Sequence, residues 1–314
     1  MVYLLKKVAP LLLFFKQAFT SLQGNDPIRM AGATAFFAFF ALPPIVIILS
    51  SVLSQLFNTH YQRISGQLFD ELADLFGPKS ANQLEDISHR LQLPKPDLPL
   101  TVLSFFLLLL TSTTLFSIIK NSLNQLWNVK PKPGRHLLHA LTDKLVALAI
   151  ILGSGFLFSS SLLMEQLMAQ FSSQFSLSSL AYYQMLVYLG HFLASVLIRM
   201  VWFAVLFKFL PDVKITWRAI WPGAFFTSIL FKIGEAVLKN LLIHSSVGTL
   251  YGRSGAIILL LLFVFYASLI FYYGAAVTRH YSEWTHLAIQ PNSRSTAYTI
   301  TEVDPPTAAS DKPS

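Results

Sequence analysis

The sequence predicts an all-α polytopic membrane bundle of six transmembrane helices, with the N- and C-termini cytoplasmic. Three observations carry that expectation. Ser254 to Thr278 is a run of 25 residues without Asp, Glu, Lys, Arg or His. As a helix it is roughly 37 Å long, enough to cross a hydrocarbon core of roughly 30 Å. Hydrophobic residues make up 54% of the chain and charged residues 12%, against about 25% charged in soluble domains. Finally, Lys and Arg collect in alternate connections, as the positive-inside rule requires.

The elements follow in order. Residues 1–29 form a cytoplasmic or interfacial segment. Its apolar run Val8 to Phe15, between Lys6-Lys7 and Lys16, is too short to span and reads as an interfacial helix rather than a signal peptide. The membrane domain covers 30–280. Its first span is about 31–56, with Pro43-Pro44 in the middle. An external loop, 58–98, carries Ile64, Leu68, Leu72 and Leu75, then Leu84, Ile87 and Leu91, at helical spacing on either side of Gly77-Pro78. Two short amphipathic helices on the outer face are expected there. Spans two and three are about 99–119 and 145–164. The fourth, about 182–207, holds one charge, Arg199. The fifth, about 219–243, has only 13 charge-free residues, Ala219 to Phe231, before Lys232, Glu235 and Lys239. Each such charge near a helix centre costs on the order of 2.5–3.5 kcal/mol, which opposes insertion of this span alone; packed against neighbours it can insert. A five-span alternative omits it and puts the C-terminus outside. The sixth span is about 254–278. Residues 281–314 are polar and contain proline, and a disordered cytoplasmic tail is expected.

Orientation comes from the basic residues. Lys6, Lys7, Lys16 and Arg29 precede span one; Lys120, Lys130, Lys132, Arg135 and Lys144 follow span two; Lys208, Lys214 and Arg218 follow span four. The connection after span three has no Lys or Arg, and that after span five has only Arg253. This bias accounts for the net charge of +8. No basic cluster on a soluble face points to a nucleic-acid partner. With no cysteine, disulfides and thiolate metal sites are excluded. The eight histidines are scattered, without metal-ligand spacing, so no cofactor, metal or catalytic residue is expected.

Candidate functional residues are the polar groups inside the spans. Lys232, Glu235 and Lys239 share one face of span five with Ser228; they line a site or neutralise one another. On span four, Gln184, Tyr188, His191, Ser195 and Arg199 form a second stripe. His191 is a packing residue or a proton carrier. Counted from the inner ends of their spans, Arg199 and Glu235 differ in depth by roughly 12 Å. A polar or water-filled cleft is therefore expected between spans four and five, rather than one tight salt bridge. Pro43 and Pro44 remove two helix donors and free the carbonyls of Phe39 and Phe40. The resulting helix break is a binding feature or a kink satisfied by neighbours. Gly223 with Ala224, and Gly274 with Ala275 and Ala276, read as close-packing surfaces.

Four stretches resemble one family in order and spacing: DPIRMAGATAFFAFFALPPIVIIL from Asp26; NSLNQLWNVKP with Asn124 and Trp127; FKFLPDVKITWRAIWPGA with Pro211, Trp217 and Gly223; and LYGRSGAIILLLLFVFYASLIFYYGAA with Tyr251, Gly252, Gly255 and Gly274. The chain is similar, over roughly Phe14 to His280, to the YihY/BrkB family of bacterial inner-membrane proteins. Many members end span six with Gly-Ala-Glu where this chain has Gly274-Ala275-Ala276, so no role for that acid is carried over. The resemblance implies a multi-pass inner-membrane protein that transports or handles lipids or envelope components, with membrane lipids as partners and a lipid or lipopolysaccharide-type substrate. The competing class is a non-transporting structural or accessory envelope protein. The family's former label, ribonuclease BN, is regarded as a misassignment, and the scattered histidines speak against it here.

Overall fold

The computed structural model describes residues 2–56, 61–76, 78–92, 113–132, 153, 181–244, 255–287, 289–293 and 295–299. Among these residues the helices are α1 (Val2–Gln23), α2 (Pro27–Leu56), α3 (Tyr61–Phe76), α4 (Pro78–Gln92), α5 (113–126), α6 (Ala181–Phe209), α7 (Trp217–His244) and α8 (Gly255–Trp284). Short strands accompany them: β1 (Val129–Pro131), β2 (Val213–Lys214), β3 (Gln290–Pro291) and β4 (Ser295–Ala297). Four expected spans fall on described helices: α2, α6, α7 and α8. Of span two only its last turns lie in α5, and of span three only Gly153 is described. The rest of both, with Tyr251 and Gly252, lies outside the described residues. By length and composition two described helices can cross a membrane, through Phe192–Phe209 and Ile257–Trp284.

Local chemistry sets the helix ends. Gly24 and Asn25 close α1, with the Gly24 N–H donating to the Thr20 carbonyl and the Asn25 side chain to the Ser21 carbonyl. Asp26 then takes a left-handed φ of 54°, and Pro27 opens α2 at the position where its missing N–H costs nothing. At the far end of the chain, His286 (φ 53°) and the Leu287 N–H donating to the Ser282 carbonyl at 2.9 Å turn the backbone back on α8. That is a Schellman closure.

Of the two readings of Pro43-Pro44, a binding break and a site satisfied by neighbours, the packing agrees with the second. Helix α2 runs without interruption from Pro27 to Leu56. The two prolines delete hydrogen bonds, but Pro43 is buried, and Ala41, Val46 and Leu49 around the pair are 6% exposed or less. Packing on both sides holds the helix through the gap.

Among the described residues, two apolar clusters pack the helices together. One, at the end that carries the strands, joins Leu22, Met30, Leu123, Trp127, Phe203, Phe207, Ile220, Phe271 and Tyr272. The other packs Leu68, Phe69 and Leu72 of α3 and Ala81 and Leu84 of α4 against Val46 and Leu49 of α2 and Leu260 and Phe263 of α8. The α3–α4 hairpin thus docks about two turns in from the start of α8. Phe231 of α7 touches both clusters.

The unstructured tail expected from residue 281 is also corrected, as far as Tyr298. Helix α8 continues to Trp284. Strand β3 pairs with β2 and β4 pairs with β1, both antiparallel, with Val129 opposite Ala297 and Val213 opposite Pro291. Two- and three-residue strands carry no readable period, so composition alone suggested disorder.

Candidate functional site

Arg199 of α6 and Glu235 of α7 meet directly, with Nη2 to Oε2 at 2.9 Å. Lys232 Nζ lies 3.5 Å from the same oxygen. The cleft expected in place of a tight salt bridge is therefore corrected. Position along a helix axis gives the depth of a backbone and not the direction in which its side chain points. Cα–Cβ bonds tilt toward a helix's own N-terminus. Helices α6 and α7 run antiparallel, so Arg199 and Glu235 lean toward each other and close the axial gap.

Within this centre the Glu235 side chain is 8% exposed, Arg199 25% and Lys232 31%. One carboxylate thus serves two cations. The Arg199 guanidinium lies 5.8 Å from the centroid of Phe231, a cation–π distance. Phe231 in turn packs on Phe203 and Phe263. Arg199 Nη1 is buried without a hydrogen-bond partner among the described residues. Removing Glu235 would leave both Arg199 and Lys232 without their anion, whereas removing Arg199 together with the acid leaves only Lys232.

Of the remaining polar stripe, the described member bonds within its own helix. Ser195 Oγ donates to the Phe192 carbonyl of its own helix at 2.9 Å. Gln184, Tyr188 and His191 lie on α6, and Lys239 on α7, with side chains outside the described residues. Ser228 is fully buried and donates to the Phe225 carbonyl.

A second buried ion pair escaped the sequence reading. Lys120 Nζ of α5 lies 2.9 Å from Asp212 Oδ1, with the two side chains 8% and 9% exposed. Asn124 Nδ2 donates to the other carboxylate oxygen at 3.0 Å, and the Asp212 N–H donates to Asn124 Oδ1 at 2.8 Å. The Asp212 carbonyl accepts from Ser295 Oγ (2.6 Å) and from the Asn292 N–H (3.0 Å). This cluster ties the loop after α6 to α5 and to the segment after α8. The available signal was Asp212 itself, an acid in an otherwise basic connection beside Pro211. Pro211 is buried in the same loop.

Trp127 Nε1 donates to the Ala275 carbonyl at 3.1 Å, fixing the end of α5 against α8. Arg279 reaches the Leu126 carbonyl and pairs with Glu283 at 2.8 Å. Trp217, 42% exposed, packs on Trp221 and lies under Lys208, as an interfacial anchor does. Asp26 and Arg29 stand 3.7 Å apart at the start of α2.

Glycines close the α7–α8 seam reciprocally. A methyl built on Gly223 would overlap Thr278 Oγ1 and lie 2.9 Å from its Cβ; one built on Gly274 would overlap Thr227 Oγ1 and lie 2.9 Å from its Cβ. Each threonine donates its hydroxyl to the carbonyl of the glycine four residues earlier on its own helix, at 2.6 and 2.9 Å. Each hydroxyl, its hydrogen already given to its own helix, lies against the facing glycine, and the backbones approach as in small-residue membrane contacts. Gly255 opens α8.

The family model of virulence factor BrkB matches residues 18–297, from a buried alanine of α1 to the last residue of β4. The chain belongs to the virulence factor BrkB family. Its returning C-terminal strands therefore lie inside the BrkB match. Curated relatives are named UPF0761 membrane protein. That of Chromohalobacter salexigens is 24% identical over 271 residues, covering 84% of this chain and 63% of the relative. That of Tolumonas auensis is 23% identical, covering 81% and 80%, and that of Stenotrophomonas maltophilia strain R551-3 is 26% identical, covering 76% and 53%. Against several of these BrkB-type relatives the chain spans less than two thirds of their length. No solved structure matches.

Proposed function

We propose that this BrkB-family membrane protein transports or handles an anionic envelope lipid, whose headgroup binds at the Arg199–Glu235–Lys232 centre. One observation carries the reading: a buried carboxylate shared by two cations, with Arg199 Nη1 unpartnered among the described residues. Among those residues the centre has one positive charge in excess. It suits a phosphate or carboxylate headgroup, since guanidinium binds either through paired hydrogen bonds. The exposed faces of α6 and α7 around it, Leu193, Leu197 and Ile233, suit acyl chains.

The test is translocation of an anionic phospholipid in reconstituted vesicles. A double variant, Arg199→Met with Glu235→Leu, removes the ion pair and leaves only Lys232, 31% exposed at its side chain, without its anion, and a lysine so placed can extend its ammonium to water. It is expected to reach wild-type abundance and lose translocation about tenfold or more. A double variant that translocates normally makes the centre structural.

The competing reading is an accessory protein that organises envelope machinery. The α3–α4 hairpin favours it. While its apolar face docks on the bundle, Gln62, Asp70, Asn82 and Asp86 are exposed on its other side. A protein that acts through this surface would lose function when those four positions are substituted, and would show no translocation in vesicles.

We place both termini in the cytoplasm and count six spans, because Lys120, Lys130, Lys132, Lys208, Lys214, Arg218 and Arg279 all belong to the strand-bearing end and basic residues stay inside. A reporter fused after Thr299 is expected to be active only as a cytoplasmic fusion. Activity outside would leave five spans.

A further inference from the structure

A groove of about 940 Å³ opens between the end of α1, the start of α2 and the middle of α8. That is at the upper end of small-molecule sites, roughly 300–1,000 Å³. Its walls are apolar, with Phe19, Leu269, Ile270 and Tyr273 among them, and Asp26 and Arg29 stand at its mouth. Leu269 lies nine residues before Thr278, the end of the charge-free run, which is roughly 13 Å along the helix. The groove therefore reaches from headgroup level into the depth of acyl chains.

Its two charges are weakly committed to each other. They stand 3.7 Å apart, with the Arg29 and Asp26 side chains 65% and 74% exposed. Such a pair contributes little, so each group is free to take another partner. A cation and an anion side by side match a headgroup that carries the same two charges in reverse. A phosphate accepts from the Arg29 guanidinium, and a primary ammonium donates to Asp26. A headgroup without an amine leaves Asp26 facing a phosphate, and a quaternary ammonium offers it no N–H.

We infer that this groove holds one phospholipid with a primary-amine headgroup, phosphate on Arg29 and ammonium on Asp26. The site uses α1, α2 and α8, not the α6–α7 centre, so it stands or falls independently of the translocation reading.

The test is native mass spectrometry of the full chain with equimolar phospholipids of identical acyl chains and ethanolamine, choline or glycerol headgroups. The wild type is expected to retain one ethanolamine lipid per chain. Arg29→Ala lowers that retention about tenfold, the worth of one charge-assisted hydrogen bond. Asp26→Asn abolishes the preference for ethanolamine over choline, and Asn tolerates the left-handed φ at this turn. Leu269→Trp fills the groove and lowers retention without touching the turn. Equal retention of all three headgroups, an unchanged preference in Asp26→Asn, or a dimer that buries the groove would each overturn the assignment.

Discussion

Replacing Asp212 by Leu is expected to cut the amount of folded protein in the membrane severely. Lys120, 8% exposed at its side chain, would keep its charge and lose the Asp212 carboxylate. Stranding one partner of a buried pair costs about 3–5 kcal/mol, a large share of a typical stability of about 5–15 kcal/mol. Asn124 would lose its acceptor as well. Lys120→Met combined with Asp212→Leu is expected to recover much of the loss, because no charge of the pair is left behind. Thermal unfolding of the detergent-solubilised protein measures both. A double variant as unstable as Asp212→Leu alone would show that the carboxylate acts through Asn124, not through the lysine.

Gly274→Leu is expected to separate α7 from α8. Even a methyl there overlaps Thr227 Oγ1 and presses on its Cβ and Cγ2, at 2.9 and 3.1 Å. Overpacking costs typically 1–3 kcal/mol and occasionally more; here the obstacle is a β-branched side chain with restricted rotamers in a helix. Gly274→Ala should therefore be costly, and Thr227→Gly should rescue it by clearing the same space. The reciprocal set, Gly223→Ala with Thr278→Gly, should behave alike. Unfolding midpoints of these single and double variants decide the matter: a Gly274→Ala protein of wild-type stability would refute the tight seam.

What could be read from sequence divides by length scale. The apolar runs of α2, α6 and α8 announce themselves, since a membrane helix must be apolar over many residues, whereas α7, with 13 charge-free residues before Lys232, left a five-span alternative open. Gly223 and Gly274 are legible as packing positions because small residues inside a span let two backbones approach. The Arg199–Glu235 contact was not legible, because axial counting gives the height of a backbone and not the reach of two side chains tilted toward each other. Asp212 was missed because a single acid in a basic loop reads as solvated; its burial depends on Lys120 and Asn124, far away in the chain. Strands β3 and β4 were missed because their pairing partners, not their own composition, make them strands.

The returning segment also bears on the order of events during synthesis. Residues 290–297 leave the ribosome after every described helix, yet they supply the partners of β1 and β2 and two donors to the Asp212 carbonyl. Val129 waits for Ala297 across more than half of the chain's length. Until then the loops after α5 and α6 present unpaired strand edges. The bundle can thread its helices one by one, but its strand-bearing end is completed only when translation has passed α8. Contacts of such long range are slow to form, so this end of the molecule is the last to acquire its native stability, whatever the speed with which the helices insert.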